Sequence, residues 1–334
     1  MRRSSNTRKG IIATAEVAVP ARLQYLPISV FSIVLGLCGY VMATQKVGAL
    51  HGFSPQAGQI LLAVTTAIYG LLVALYVAKA VRWWPEVAAE LKHPTKLSFF
   101  PAISISLLLL SAAFLDVDRQ VSAVLWYVGV GLQLIVSLGV LSAWIRHTHF
   151  QIQHFSPAWF IPVVGNLIVP VAGVEHGPAD VSWLFFAAGL VFGIVLFAIL
   201  MYRMLFHQPL NDRLLPTLFI VVAPPAVGAI SYYKLTGAFD AFFRVLYFLA
   251  AFLLLLLIVH ASGFVRVKFS LSWWAYLFPI AAFTIVTTVV SRVQSSSFYS
   301  TIATGLWVAL TALVIVVAAR TLVAIARHEI CVPE

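Results

Sequence analysis

The chain has 334 residues, 62% of them hydrophobic and only 10% charged, with a mean hydropathy of +0.99 and a formal net charge of +10. A soluble globular domain is about 45–50% apolar and about 25% charged. Burying a core does not remove that difference, because a domain of this size still shows water a large surface; the apolar excess therefore faces lipid, and a soluble fold is excluded.

Inside a bilayer every backbone polar group needs an internal partner, which leaves helices or a closed barrel. Barrel strands show alternating segments of about ten residues. This chain has unbroken apolar runs instead, such as 60–78 and 181–201, near the roughly 20 residues that span a bilayer. An all-α integral membrane protein is predicted. Residues 1–24 form a basic N-terminal segment with no apparent cleavable signal, and the first apolar run, 27–44, reads as a retained span. Ten spans follow in chain order: 26–45, 57–80, 98–115, 121–145, 158–174, 181–205, 214–233, 239–261, 271–290 and 300–326. They make one membrane domain over 25–327, with a short tail at 328–334.

The connections alternate in charge. One side carries Arg2, Arg3, Arg8, Lys9, Arg22, Lys79, Arg82, Lys92, Lys96, Arg146, Arg203, Arg213, Arg266, Lys268, Arg320 and Arg327; the other keeps Lys46, Arg119, Lys234, Arg244 and Arg292. Lys and Arg bias sets orientation, so both termini are expected in the cytoplasm. The net charge of +10 then reflects topology, and no nucleic-acid partner is expected. Cys38 and Cys331 offer neither a disulfide framework nor a metal cluster.

Each odd span opens with two bulky apolar residues and a proline: Tyr25-Leu26-Pro27, Phe99-Phe100-Pro101, Phe160-Ile161-Pro162, Leu214-Leu215-Pro216 and Leu277-Phe278-Pro279. The prolines lie 74, 61, 54 and 63 residues apart, one per helical hairpin, and no even span has a proline well inside it. Pro170, Pro224 and Pro225 add further breaks in spans five and seven. A proline removes a donor and bends a helix, and the freed carbonyl at lipid depth is tolerated where protein or a water-filled cavity surrounds it. The expectation is five hairpins in quasi-fivefold arrangement, with odd helices as an inner ring, even helices as an outer ring, and a central pore. Proline is also simply commoner in membrane helices.

The inner helices offer mild chemistry. Ser29, Ser32, Ser104, Ser106, Asn166, Thr217, Thr284, Thr287 and Thr288 are available, and no ionisable residue sits securely inside an odd span. Intramembrane ionisable groups mark relays and coupling sites, so their scarcity favours a passive pore over an ion-coupled pump. Ser32, Leu35, Gly36, Phe100, Asn166, Thr217 and Thr284 are the candidate lining residues, although Ser and Thr in such helices also bond their own backbone. His147, His149 and His154 cluster after span four, as a metal site or as a solvated, pH-sensitive loop. No catalytic constellation stands out, and no enzyme activity, cofactor or metal is expected.

The stretch Phe269-Ser270-Leu271-Ser272-Trp273-Trp274-Ala275-Tyr276-Leu277-Phe278-Pro279 resembles the ninth-helix signature of the tellurite-resistance/dicarboxylate transporter family. That family takes in bacterial TehA, the plant guard-cell slow anion channels and fungal malate and sulfite transporters. His93-Pro94 before Phe99-Phe100-Pro101, Ser156-Pro157 before Pro162, and Leu215-Pro216-Thr217 before Ala223-Pro224-Pro225 match as well, so the likeness spans nearly the whole chain. The resemblance implies a pore in each subunit of a homotrimer in a bacterial plasma (inner) membrane, small anions as cargo, and a ninth-helix phenylalanine, here Phe278, as a pore plug. It covers channels and carboxylate or oxyanion exporters alike. Where the first inner helix of the family usually reads Phe-Gly-Ile, this chain has Phe31-Ser32-Ile33, with Gly36 one turn on.

Overall fold

The computed structural model describes residues 22–146 and 150–332; most of the basic N-terminal segment, His147, His149 and the last two residues of the tail lie outside that set. Ten helices are long and apolar enough to cross a membrane: α1 (Ile28–His51), α2 (Gln56–Arg82), α3 (Lys96–Phe114), α4 (Arg119–Arg146), α5 (Pro157–His176), α6 (Ala179–Phe206), α7 (Asp212–Thr236), α8 (Ala241–Val259), α9 (Leu271–Val293) and α10 (Ser297–Ala326). No strand occurs among the described residues. Glycine ends α1 and α7: Gly52 and Gly237 adopt φ of 70° and 67°, the left-handed conformation that stops a helix cheaply.

Burial separates the spans into two sets. The odd helices are 61–89% buried along their most apolar stretch, the even ones 22–39%. The even helices carry the exposed bulky residues, including Leu71, Ile135, Leu184, Phe252 and Ile315, which suit a lipid-facing surface. The odd helices pack into a closed ring: α1 on α3, α3 on α5, α5 on α7, α7 on α9, and α9 back on α1. Each even helix leans on its own hairpin partner and on the next odd helix, with α10 closing onto α1. The end where the odd helices begin is called proximal here, the other distal.

Four of the five repeated prolines act at helix starts rather than as bends within the spans, and Pro216 lies inside a 3-10 helix. Every odd span opens with a 3-10 turn before becoming α-helical: Ile28–Phe31, Lys96–Phe99, Pro157–Phe160, Asp212–Val222 and Leu271–Tyr276. Pro27 precedes the first turn in an extended conformation, and Pro101 and Pro162 open their α-helical segments. Pro216 lies within the 3-10 stretch of α7, and Pro279 is the third residue of the α-helical part of α9. In a first turn the missing N–H is one the helix leaves unpaired anyway, so proline there selects the start without opening a carbonyl. The interior breaks are Pro170 in α5 and the long 3-10 stretch of α7, which returns to α-helix at Ala223-Pro224-Pro225.

Carbonyls near the α5 prolines are served from the side. Ser231 of α7 donates to the Leu167 carbonyl, Trp126 Nε1 of α4 to the Val169 carbonyl at 3.0 Å, and Gln133 Nε2 to the Pro162 carbonyl at 3.1 Å. Gln133 also reaches Asn166 Oδ1 at 3.0 Å and accepts from Ser104 Oγ at 2.7 Å. One fully buried amide on an outer helix thus joins α3, α4 and α5.

A helix not expected from the sequence, Trp84–Lys92, follows α2 at the proximal end. It brings Glu90 against the buried Lys79 of α2, with Nζ to Oε2 at 3.1 Å. Lys79 also donates to the Leu26 carbonyl at 2.7 Å, while Glu90 accepts from Tyr76 Oη at 2.6 Å and from the Ile28 backbone N–H at 3.3 Å. The Tyr76 ring meets Phe31 and Phe100 edge-on, with centroids at 5.8 and 6.3 Å. The cluster ties the starts of α1 and α3 to α2. Removing one member of a buried ion pair strands the other charge, so Glu90→Ala should lower stability by about 3–5 kcal/mol, read as a depressed thermal midpoint in detergent. The double replacement Lys79→Met with Glu90→Leu should cost far less.

Candidate functional site: an axial cavity

A narrow cavity of about 50 Å³ lies inside the ring and touches all five inner helices. Its walls are Ser32 and Leu35 of α1, Phe99 and Ile105 of α3, Ile161, Val164 and Ile168 of α5, Ile220 and Ala223 of α7, and Trp274, Ala275, Phe278 and Pro279 of α9. The 3-10 segments and first α-helical turns of the odd spans supply most of the wall, and three of the bulky pairs before the prolines contribute Phe99, Ile161 and Phe278.

The cavity wall is apolar. Its two polar side chains are already engaged as donors, Ser32 Oγ to the Ser29 carbonyl at 2.7 Å and Trp274 Nε1 to Thr321 Oγ1 at 3.0 Å. Among the described residues no charged side chain lines it. An ion here has no substitute for its hydration shell, so the cavity resists passage unless it widens enough to hold water.

Of the sequence-derived candidates, Ser32, Leu35, Phe278 and Pro279 line this cavity. Phe100 does not; its neighbour Phe99 takes the wall and Phe100 turns to Tyr76. Asn166 is drawn to Gln133. Thr217 and Thr284 are fully buried, their hydroxyls donating to the Leu214 and Ile280 carbonyls of their own helices. These side chains satisfy themselves locally because a hydroxyl or amide among apolar neighbours gains more from a fixed partner than from an empty apolar space.

Glycines bring α1 and α9 together. A Cβ at Gly36 would lie 3.0 Å from both Leu277 Cδ1 and Trp274 Cε3. At Gly39 it would lie 2.9 Å from Ala281 Cβ and 3.3 Å from Phe278 Cδ2. Gly39 thus sits directly behind the Phe278 ring, a contact that sequence reasoning missed. Its signal was present: Ser32, Gly36 and Gly39 fall at i, i+4 and i+7, on one face of α1.

The two ends differ in charge. By sequence position the distal end carries five basic residues and five acidic ones, Asp116, Asp118, Glu175, Asp180 and Asp240, so the whole excess of +10 belongs to the proximal end. Two of the five distal cations are paired, Lys46 with Asp116 at 2.9 Å and Arg119 with Glu175. The Lys46 ammonium holds the Asp116 carboxyl below its ordinary range. Among the described residues no group of three His, Cys, Asp or Glu converges as a metal site; His154 Nδ1 accepts the Gln151 backbone N–H.

The voltage-dependent anion channel family, SLAC1, matches residues 25–322. The chain is 30% identical over 285 residues to the S-type anion channel SLAH3 of Arabidopsis thaliana, covering 83% of this chain and 45% of that protein. It is 26% identical over 263 residues to the tellurite resistance protein TehA homolog of Haemophilus influenzae, covering 77% of this chain and 79% of that one. An uncharacterised transporter of Methanocaldococcus jannaschii is 24% identical over 264 residues, 72% of this chain and 76% of its own length. The chain spans less than half the length of the plant relatives SLAH3 and SLAH2.

A side chain at Gly39 has no space without displacing α9. Gly39→Val should therefore cost about 1–3 kcal/mol through overpacking, seen as a lower thermal midpoint, whereas the same change at Gly70, which has open space around it, should move the midpoint far less.

Proposed function

This chain belongs to the SLAC1 family of voltage-dependent anion channels, and from that premise we propose that it conducts small monovalent anions, chloride and nitrate among them, through the axial cavity, with the Phe278 ring as its movable obstruction. The observation that carries the reading is the composition of the cavity: five inner helices contribute to one space, and Phe278 projects into it from α9 with a glycine behind it. A rigid ring in an apolar constriction blocks both ion and water, and a rotamer change or a small shift of α9 relieves the block.

The charge distribution supports anions as cargo. A basic proximal end raises the local anion concentration, and no carboxylate lines the wall to hold a cation. The first and last described stretches, at Arg22 and His328, meet at the proximal end, and the positive excess assigned there by sequence position supports placing that end in the cytoplasm and the protein in a bacterial plasma membrane. Because the cavity is complete within one chain, each copy would carry its own passage, which is compatible with the trimer that the family resemblance implies.

The second reading is a coupled exporter of a carboxylate or oxyanion, supported by the transporter and tellurite-resistance names of two relatives. Coupling requires a titratable or ion-binding group on the path, and the cavity wall has none. Flux separates the two: uncoupled currents reversing at the anion equilibrium potential belong to a channel, saturable proton-linked uptake to a carrier.

Phe278→Ala should raise chloride or nitrate current in liposomes by about tenfold or more, equivalent to roughly 1.4 kcal/mol off the permeation barrier. Unchanged current at equal protein incorporation would remove Phe278 from the gate.

A further inference from the structure

Away from the axis, the proximal ends of α4, α5 and α6 gather buried donors that lack acceptors. Arg203, in the last turn of α6, is only 7% exposed. Its guanidinium donates from Nη2 to the Gln153 carbonyl at 3.2 Å, while Nε and Nη1 are buried without a partner. Arginine stays protonated in proteins, and no carboxylate of the described residues lies within ion-pair distance of it. A full positive charge and the N–H groups on two nitrogens are therefore enclosed and unmatched.

The neighbours share the same sense. Ser156 Oγ and Trp159 Nε1, at the start of α5, are buried and unpartnered, and that turn packs on α6. Trp144 Nε1 at the end of α4 is likewise unpartnered, its ring stacked on Trp159 with centroids 4.6 Å apart. His207 closes α6, its backbone N–H bonding the Arg203 carbonyl at 3.0 Å, and its Nε2 has no partner. A single orphan donor is a packing imperfection. Five residues at the contacting ends of three helices are not: Arg203, Trp144, Ser156 and Trp159 present unpartnered donors and His207 a ring nitrogen that donates or accepts by tautomer, whereas buried polar groups are nearly always matched and a buried charge without a counter-charge is costly.

We propose that the proximal end of α6 is a binding site for a phosphate-type oxyanion, held by Arg203 together with Ser156, Trp159 and His207. Such a ligand brings negative charge and several acceptor oxygens and needs no acceptor in return, which matches what this cluster lacks; hydrogen bonds between ionised partners are also the strong ones. The chemistry comes from two sources, free phosphate or the phosphate of a net-anionic phospholipid head group, which, unlike that of phosphatidylcholine, brings no ammonium of its own to compete with Arg203. The adjoining surface of α6 exposes Tyr202, Leu205 and Phe206, which sets the site beside lipid at the end of a span. None of the four ligand residues lines the axial cavity, so this site stands or falls independently of the Phe278 gate.

The test is thermal unfolding of the purified chain. In detergent, potassium phosphate is titrated against potassium chloride at equal ionic strength. In parallel, vesicles of phosphatidylglycerol are compared with vesicles of phosphatidylcholine. A saturable rise in midpoint of about 2–4 °C with phosphate assigns the site to a free oxyanion; a rise only with phosphatidylglycerol assigns it to a head group, and either supports the site. Arg203→Met should abolish the rise. Ser156→Ala, a small change that keeps the fold if Arg203→Met does not, should reduce it at least by half. No rise with either probe, or a full rise retained in both variants, overturns the proposal and leaves the donors to water.

Discussion

In lipid, a backbone carbonyl or side-chain donor that loses its partner has no water to replace it, and each such loss costs several kcal/mol. The double ring is arranged around that constraint. The outer helices are regular α-helices without interior proline, so their backbone groups are satisfied within the helix and their apolar side chains can face lipid. The inner helices carry the irregularities, the 3-10 starts and the breaks at Pro170 and Ala223, and they are enclosed by other helices. Irregular backbone sits where lateral donors reach it, as Ser231, Trp126 and Gln133 do along α5.

The same enclosure shapes the axial cavity. Because the hydroxyls and amides of the inner helices bond to their own carbonyls or to neighbours between the rings, little polar chemistry remains for the axis. The cavity wall becomes apolar by default, and an apolar wall around a small space excludes water until it widens. A ring of five hairpins makes that widening a matter of a few side chains: α1 and α9 meet over Gly36 and Gly39, so the rear of Phe278 rests against backbone instead of a yielding side chain. Small packing differences at one helix contact thereby act directly on the placement of Phe278 in the cavity wall.

Charge is confined to the ends, with different chemistry at each. Two distal cations are paired with carboxylates in exposed contacts, Lys46 with Asp116 and Arg119 with Glu175, whose energetic weight is small. Proximal cations include two that are buried, Lys79 and Arg203. Lys79 has a carboxylate and a carbonyl as partners and helps hold the starts of α1 and α3 in place; Arg203 has one carbonyl. The orientation rule treats the two alike, because it counts charges and says nothing about their surroundings.

The ten spans, their alternation between enclosed and lipid-facing, and the start of each odd helix were legible in the sequence, because hydrophobic length and proline position are local properties that a bilayer enforces span by span. The family-level likeness around Trp274 singled out Phe278 as well. What the chain order did not reveal was which face of each inner helix meets the axis. That depends on helix rotation, which is decided when neighbours compete for the same side chain: Asn166 went to Gln133, Thr217 and Thr284 to their own carbonyls, and Phe99 replaced Phe100 at the wall. The helix Trp84–Lys92 with its Glu90, the contact of Gly39 with Phe278 and the gathering of donors at Arg203 likewise join residues distant in sequence. Such meetings are properties of packing between helices, and only the folded ring brings them about.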